Sequence, residues 1–511
     1  MDKVRIGKDV IESLTLGMYE DSRFIYREYV QNSADQIDKA VELGVLKIRD
    51  EGNIFISIES DERRIIIEDN ATGIEADKVV DILRNIAQST KDRSKDKGFR
   101  GIGRLGGLGY CEKLIFETSY KNEKMKSIMA WDARKLKNII NDRTQKEEAT
   151  EVIRNITTFT QENEDATKHY FKVILENVEN KELLDVDGIR EYMSMIAPVP
   201  FEGHFVYKNK IIDELKKNEF CIDEYKIFIN TDQLYKAYRS TIKDNNGKNK
   251  DELFDVKFKV IKSGEASIGF IWYGISKSIE QIPAKNNPAR GFRLRKGNIQ
   301  IGNEFTLRKL HKDARFHFYF LGEVHAFSPD LIPNARRDYF LENKLCKDFE
   351  DEMKLFFSND IHKLTYAASN INSANRKVEQ FEQVKRNFED TQKKGFTSRE
   401  EKQKLEQQLT ETKQKAEQAK KELQKHKEKY KDNPVLRKIY NKVVTTETIE
   451  PEEADISDEC NNGKTKYRTD NLSKLSKSER KLVSRIYKII DDKLTPDLSE
   501  NLKYWIEEEF K

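Results

Sequence analysis

Nothing constrains this chain more than one concentration of glycine. Six of its 23 glycines, Gly98, Gly101, Gly103, Gly106, Gly107 and Gly109, fall within twelve residues, too many for chance clustering. Glycine removes the Cβ that would keep backbone N–H groups away from phosphate oxygens, and a helix starting there adds its dipole. The spacing is neither the P-loop, which needs Gly-Lys-Ser/Thr, nor a dinucleotide fingerprint. A glycine loop by itself therefore names no ligand.

The 511 residues suffice for about two to four domains. Charged residues make up 36% of the chain, against roughly 25% in an ordinary soluble protein. That excess predicts long solvated helices beside globular cores. The 93 basic and 90 acidic side chains nearly cancel to +3, which is not the footprint of a purely electrostatic nucleic-acid binder. No stretch approaches the roughly 20 apolar residues of a membrane span, and residues 1–14 lack a signal-peptide apolar core. Cys111, Cys221, Cys346 and Cys460 are scattered, which argues against a cysteine metal cluster or a disulfide framework. The expectation is a soluble, cytoplasmic protein with no membrane partner.

No proline precedes Pro198, so the first 197 residues can hold unbroken helices and strands. Ile54, Ile56 and Ile58, then Ile65, Ile66 and Ile67, predict two strands joined at Ser60-Asp61-Glu62-Arg63, and residues 113–119 predict another. Strand-like runs at 254–261, 267–273 and 316–327, with an Asn246-Gly247 turn, predict a second α+β domain. From about 347 the chain turns helical and charge-rich. Ile371, Ala374, Val378, Phe381 and Phe388, and then Leu405, Leu409, Thr412, Ala416, Ala419 and Leu423, recur at coiled-coil spacing. Gly395 stops the first helix and Ser398 with Glu401 caps the next, so an antiparallel hairpin is expected. Residues 441–470 read as an acidic linker, and Ser476 with Glu479 opens a helical tail. The expected domains are 1–195, 196–346, a helical hairpin at 347–434, a linker at 435–475 and a tail at 476–511.

Two further constellations carry chemistry. Glu28, Asn32 and Asp35 are spaced i, i+4 and i+7 on a predicted helix, and Ile25, Tyr29 and Ile37 flank them with apolar surface. A glutamate there can take a proton from water, and an asparagine oxygen can ligate a hard cation such as magnesium. Asp69, at the end of an apolar strand before Gly73, suits a buried acceptor for the exocyclic amine of adenine, with Gly73 allowing close approach.

In this order the three elements resemble the GHKL ATPases, the superfamily of gyrase, the ninety-kilodalton heat-shock chaperone, histidine kinases and MutL. Glu28-Tyr-Val-Gln-Asn32-Ser-Ala-Asp35 resembles the family's N-box, Asp69 to Gly73 its adenine motif, and residues 98–109 its lid and last glycine box. The heat-shock branch is the nearest in character. Ile86-Ala-Gln-Ser-Thr-Lys91 resembles its lid, and Leu114-Ile-Phe-Glu-Thr118 the strand that brings a threonine against the adenine aspartate. Ser328-Pro-Asp-Leu-Ile-Pro-Asn334-Ala-Arg336-Arg337-Asp338 resembles the middle-domain loop that reaches the terminal phosphate. The likeness covers about residues 1–345. Ala71 stands where the family usually has glycine, the lid is short, and nothing beyond 345 resembles the chaperone's dimerisation domain.

The resemblance implies an α+β architecture: an ATP-binding α/β sandwich, an α+β middle domain and a helical, coiled-coil C-terminal region. It implies ATP with magnesium, Glu28 as the base, Asn32 as the metal ligand, and Arg337, or Arg336 in its place, as the arginine on the transferring phosphoryl group. Asp35, Asp69, Gly73, Lys91, Gly101, Gly103, Gly106, Gly107 and Thr118 would complete the nucleotide site. The expected activity is ATP hydrolysis driving lid closure and homodimerisation on a client or effector protein. The alternative is a MORC-like, nucleotide-gated binding module with little hydrolysis, acting on DNA or on an effector, since that branch also joins such a domain to coiled coils.

Overall fold

The computed structural model describes residues 6–15, 21–86, 103–142, 144, 147–444 and 466–510. Lys91, Gly98 and Gly101 therefore lie outside the described residues. The chain divides into two compact units, one of Met1–Ser276 with Gln281–His362, the other of Lys277–Glu280 with Lys363–Lys511.

The first unit is built on two sheets. β1 (Asn53–Glu59) and β2 (Arg64–Asp69) form the expected hairpin, with Ile54 opposite Asp69 and Glu59 opposite Arg64. β3 (Lys113–Ser119), β4 (Met125–Asp132), β5 (Thr157–Asn163) and β6 (Tyr170–Glu176) add antiparallel neighbours in the order β5-β4-β3-β6-β2-β1. The sheet then takes in β7 (Lys226–Ile229), parallel to β1, and the short β8 (Asp232–Gln233). Residues beyond 196 thus extend the N-terminal sheet. Ile227 and Ile229 alternate into its core, and Phe228 stacks on Phe55 at 5.1 Å.

Helix Phe24–Glu42 lies against this sheet and buries 13 of its 19 residues. Ile25, Ala34, Ile37 and Ala40 are fully buried with Ile54, Ile56 and Ile65 in one core. A helix buried nearly all round carries its polar stripe into the interior.

The second sheet runs β13-β12-β14-β11-β10-β9, with β9 (Thr241–Lys243), β10 (Asn249–Ser263), β11 (Ala266–Ser276), β12 (Gly291–Lys296), β13 (Ile299–Ile301) and β14 (Leu321–Ala326). Residues 316–327 depart from the strand expected there: Ala314–Tyr319 winds into a 3-10 turn before β14 begins. Asp313 starts the turn by accepting from the Arg315 amide at 3.0 Å, and His317 within the turn is fully buried.

In the second unit, helices His362–Lys394 and Arg399–Lys429 pair antiparallel. Ile371, Ala374 and Val378 meet Ala419 and Leu423, while Phe381 and Phe388 meet Leu409 and Ala416. Gly395 makes the break at φ +93°, and Ser398 Oγ accepts from the Glu401 amide at 3.2 Å. The segment expected to be linker from 435 opens instead with helix Pro434–Val443. Asn433 caps it, proline occupies its first turn, and Tyr440 joins the hairpin core. Ser476 and Glu479 form the expected capping box, and Thr495-Pro496 divides the tail into Lys477–Lys493 and Pro496–Glu509.

Candidate functional site

The described part of the glycine-rich segment, Gly103–Gly109, is a 3-10 turn that lies on helix Phe24–Glu42. A Cβ on Gly103 would stand 2.2 Å from Glu28 Oε2, one on Gly106 would meet the Phe24 ring at 2.8 Å, and one on Gly107 the Tyr29 hydroxyl at 2.5 Å. These glycines are required by close packing on the helix. The Gly107 N–H, read from sequence as a phosphate donor, is instead donated to the Tyr29 hydroxyl at 3.1 Å, and that hydroxyl donates to the Arg104 carbonyl at 3.0 Å. Burial pushes the Arg104 guanidinium down to about 10, and it donates to the Asn85 carbonyl.

Glu28 is 5% exposed and is approached by two guanidinium groups. Arg337 Nε stands 2.9 Å from Oε1 and Arg27 Nη2 3.8 Å from the same oxygen. Neither is aligned as a hydrogen bond to that oxygen. Arg337 is 7% exposed and has φ +55°, a left-handed conformation that a long side chain adopts at a cost of about 1–3 kcal/mol. Its carbonyl accepts from the Gly302 amide at 2.8 Å, and the Asn334 carbonyl accepts from its own amide at 3.2 Å. Arg336, by contrast, is exposed. Of the two candidates, the fold brings Arg337 to Glu28. Arg27 escaped the sequence reading, and its only signal there was a cation beside Glu28 on a helix expected to be buried.

The same end of the helix borders a cleft of about 750 Å³, lined among others by Arg27, Tyr192, Arg293, Gln300, Arg336 and Arg337. Arg27 and Arg337 therefore border solvent despite their burial.

Asp69 and Thr118 lie further along. Both register opposite Phe171 of the intervening β6, so they stand in one row on the same face, two strands apart. Asp69 is 1% exposed and its Oδ1 accepts from the Ala71 amide at 3.1 Å. Thr118 Oγ1 donates to the Tyr170 carbonyl at 3.0 Å and accepts from the Ile74 amide at 2.9 Å. Gly73 has φ +68°, and a Cβ there would fall 2.0 Å from the Ser119 carbonyl. Its glycine is demanded by the backbone of β3. Thr72 Oγ1 donates to Gln36 Oε1 at 3.0 Å, which ties this loop to the helix of Glu28. Asn32 is half-buried and Asp35 buried on that helix. Among the described residues no three His, Cys, Asp or Glu side chains converge as a metal cluster, and no helix is long and apolar enough to cross a membrane.

Residues 22–167 match the family model described as histidine kinase-, DNA gyrase B- and HSP90-like ATPase. The chaperone protein HtpG of Fusobacterium nucleatum subsp. nucleatum is 23% identical over 385 residues, covering 70% of this chain and 57% of that protein. HtpG of Escherichia coli strain K12 is 28% identical over 164 residues, 28% of this chain and 26% of its own length. The chain thus spans little more than half the length of the first of these relatives and about a quarter of the second. A GHKL-superfamily ATPase domain is present, with the general architecture for binding and hydrolysing ATP, followed by a sheet-and-helix middle region and a helix-rich C-terminal region.

Proposed function

We propose that the chain is an ATP-hydrolysing conformational machine in which Glu28 is the base and Arg337 the cation on the transferring phosphoryl group. The observation that carries this reading is their approach to 2.9 Å, from elements more than 300 residues apart in sequence. A base and a cation held together at a buried helix end suit an attacking water and a developing phosphate charge. Arg336 borders the same cleft but is exposed, which favours the buried Arg337 of the pair.

Asp69 accepts the adenine amine, and the row containing Thr118 completes that end of the nucleotide site. Asn32 offers one carboxamide oxygen, and among the described residues no three His, Cys, Asp or Glu side chains converge as a metal site, so it fits magnesium only as a site completed by phosphate oxygens. Magnesium, when bound with the triphosphate, neutralises phosphate charge. The chain's own share is to orient the triphosphate through Asn32, to hold the water at Glu28 and to supply Arg337. Lid closure, homodimerisation around ATP and work on a client or effector protein belong to the same proposal and rest on the partial likeness to HtpG.

The decisive measurement is turnover of Glu28→Ala against wild type at saturating ATP and magnesium. General-base catalysis contributes about 10²–10⁴-fold, so the variant should bind ATP nearly normally and turn over at least about a hundredfold more slowly. Asn32→Ala should instead weaken triphosphate binding itself. Equal rates for Glu28→Ala and wild type would remove Glu28 from the reaction.

A further inference from the structure

Arg293 and Arg295 flank Leu294 on β12 and share one face of the second sheet. Arg295 is closed in: Nη1 donates to the Asn298 carbonyl at 2.9 Å, Nη2 to the Met195 carbonyl at 2.7 Å, and Nε pairs with Glu323. Arg293 is held more loosely, although it is only 5% exposed. Its Nη2 donates to the Pro288 carbonyl at 2.5 Å, and its Nη1 lies 3.5 Å from the carboxylate of half-buried Glu304. Its Nε has no hydrogen-bond partner among the described residues.

Gln300, on the neighbouring β13, repeats the pattern. It is 2% exposed, and its Nε2 donates to the Gly302 carbonyl at 3.1 Å. That bond fixes the amide, because the flipped group would set one oxygen against another. Oε1 is then left over, without a partner among the described residues. Both side chains line the cleft of about 750 Å³, and Arg27 lines it from helix Phe24–Glu42. Arg27 is 7% exposed, its Nη2 lies 3.8 Å from Glu28, and its Nε also has no partner among the described residues.

Three buried side chains thus bring two cations and one acceptor to a single cleft. Buried polar atoms without protein partners beside a cleft leave room for a polar ligand. Guanidinium groups call for an oxyanion, which they hold through charge-assisted hydrogen bonds. Gln300 Oε1 narrows the choice, because the ligand must also donate a proton. Orthophosphate keeps a P–OH at neutral pH, sulfate has none, and a phosphate monoester has lost most of its own. The acids around the cleft leave this charge in place. Asp187, Glu191 and Asp338 are exposed to water, and Asp21 is held by Arg23 at 2.9 Å.

We propose that this cleft binds orthophosphate, with Arg293 and Arg27 on its oxygens and Gln300 Oε1 accepting from its P–OH. Glu304 yields Arg293 to the closer anion. The site is separate from the nucleotide, since none of the three residues is given a part in holding ATP. Asp69→Asn, expected to lose ATP, should bind phosphate like wild type.

The test is calorimetry of the full chain with orthophosphate, in the absence of nucleotide. Wild type should bind one phosphate per chain, and sulfate at least about tenfold more weakly. Arg293→Gln should weaken phosphate at least about tenfold. Gln300→Leu should weaken phosphate by a similar factor while leaving sulfate unchanged, a split that a general loss of structure would not produce. A wild type that binds no phosphate, sulfate held as tightly as phosphate, or binding indifferent to both substitutions would overturn the proposal. So would displacement of the phosphate by a non-hydrolysable ATP analogue, which would move it to the position of the terminal phosphate. Phosphate added during turnover tells its two sources apart. Inhibition of wild type that Gln300→Leu relieves makes the occupant the phosphate cleaved from ATP, and an unchanged rate makes it phosphate taken from solution.

Discussion

Glu28 and Glu323 are both buried glutamates in the first unit, and they are held in opposite ways. Glu323, on β14, is fully buried and both of its oxygens have hydrogen-bond partners. Lys236 Nζ donates to its two oxygens at 3.1 and 2.9 Å, Trp272 Nε1 donates to Oε2 at 3.0 Å, and His325 Nε2 lies 2.9 Å from Oε2. Arg295 completes the cluster and donates onward to the Met195 carbonyl at 2.7 Å, bolting helix Val186–Ile196 to the second sheet. Burial alone would raise the Glu323 carboxyl, yet Arg295 and Lys236 hold it well below the usual range. Burial pushes Lys236 down to about 8 against the pull of Glu323. Glu28 has two cations at 2.9 and 3.8 Å, no hydrogen bond at Oε1, and a cleft alongside. A closed network specifies structure, whereas an incompletely satisfied carboxylate beside a cleft has capacity left for a ligand.

That contrast can be broken experimentally. The largest expected effect is on rate. Glu28→Ala should cost about 10²–10⁴-fold in turnover while shifting the melting temperature little, because Arg27 and Arg337 border solvent and can be hydrated. A large loss of stability there would make Glu28 a structural residue like Glu323.

Glu323→Gln should do the reverse. It leaves Arg295 and Lys236 buried beside a neutral amide and should cost about 3–5 kcal/mol in urea unfolding. A variant as stable as wild type would show that water reaches the cluster.

Acid should act through the second sheet too. Burial depresses His317 to about 4 and His311 to about 2, with His317 Nε2 2.8 Å from the Glu304 carbonyl oxygen. The unfolded chain binds these protons near pH 6.5 and the folded chain does not. Stability is therefore present in full above about pH 6.5 and falls as the pH drops toward about 4, by about 3 kcal/mol for His317 at most. His317→Gln should flatten that slope in pH-dependent denaturation.

A smaller effect is expected at the adenine end. Asp69→Asn offers an amide where an acceptor is needed and should weaken ATP by about ten- to hundredfold, or about 1–3 kcal/mol, in calorimetry. The smallest separates neighbours: Arg337→Ala should slow turnover in the full chain, while Arg336→Ala should leave it near wild type. Exchanged phenotypes would place Arg336 at the phosphate.

Local periodicity made much of this molecule legible before folding. The alternation of Ile54, Ile56 and Ile58 against Ile65 and Ile67 identified β1 and β2, because pleated strands repeat every two residues. The three- and four-residue spacing of Ile371, Ala374, Val378 and Phe381 identified the antiparallel hairpin. Glu28, Asn32 and Asp35 were visible as one helix stripe, and helix Phe24–Glu42 carries all three.

Long-range pairing was not legible in the same way. Sequence placed β7 with the second domain, but Ile227 and Ile229 found their buried row beside β1. The glycines at 103, 106 and 107 were visible, yet only the tertiary fold showed that they admit the helix of Glu28 rather than expose Gly107's N–H. The Glu323 cluster had no signal at all, since its members come from four separate strands and turns and make sense only together. What the sequence alone determined is the set of elements and the chemistry each carries, because those depend on neighbours a few residues away. Which arginine meets Glu28, and which buried glutamate is closed by partners, was decided by contacts spanning hundreds of residues, where no local period exists to be read.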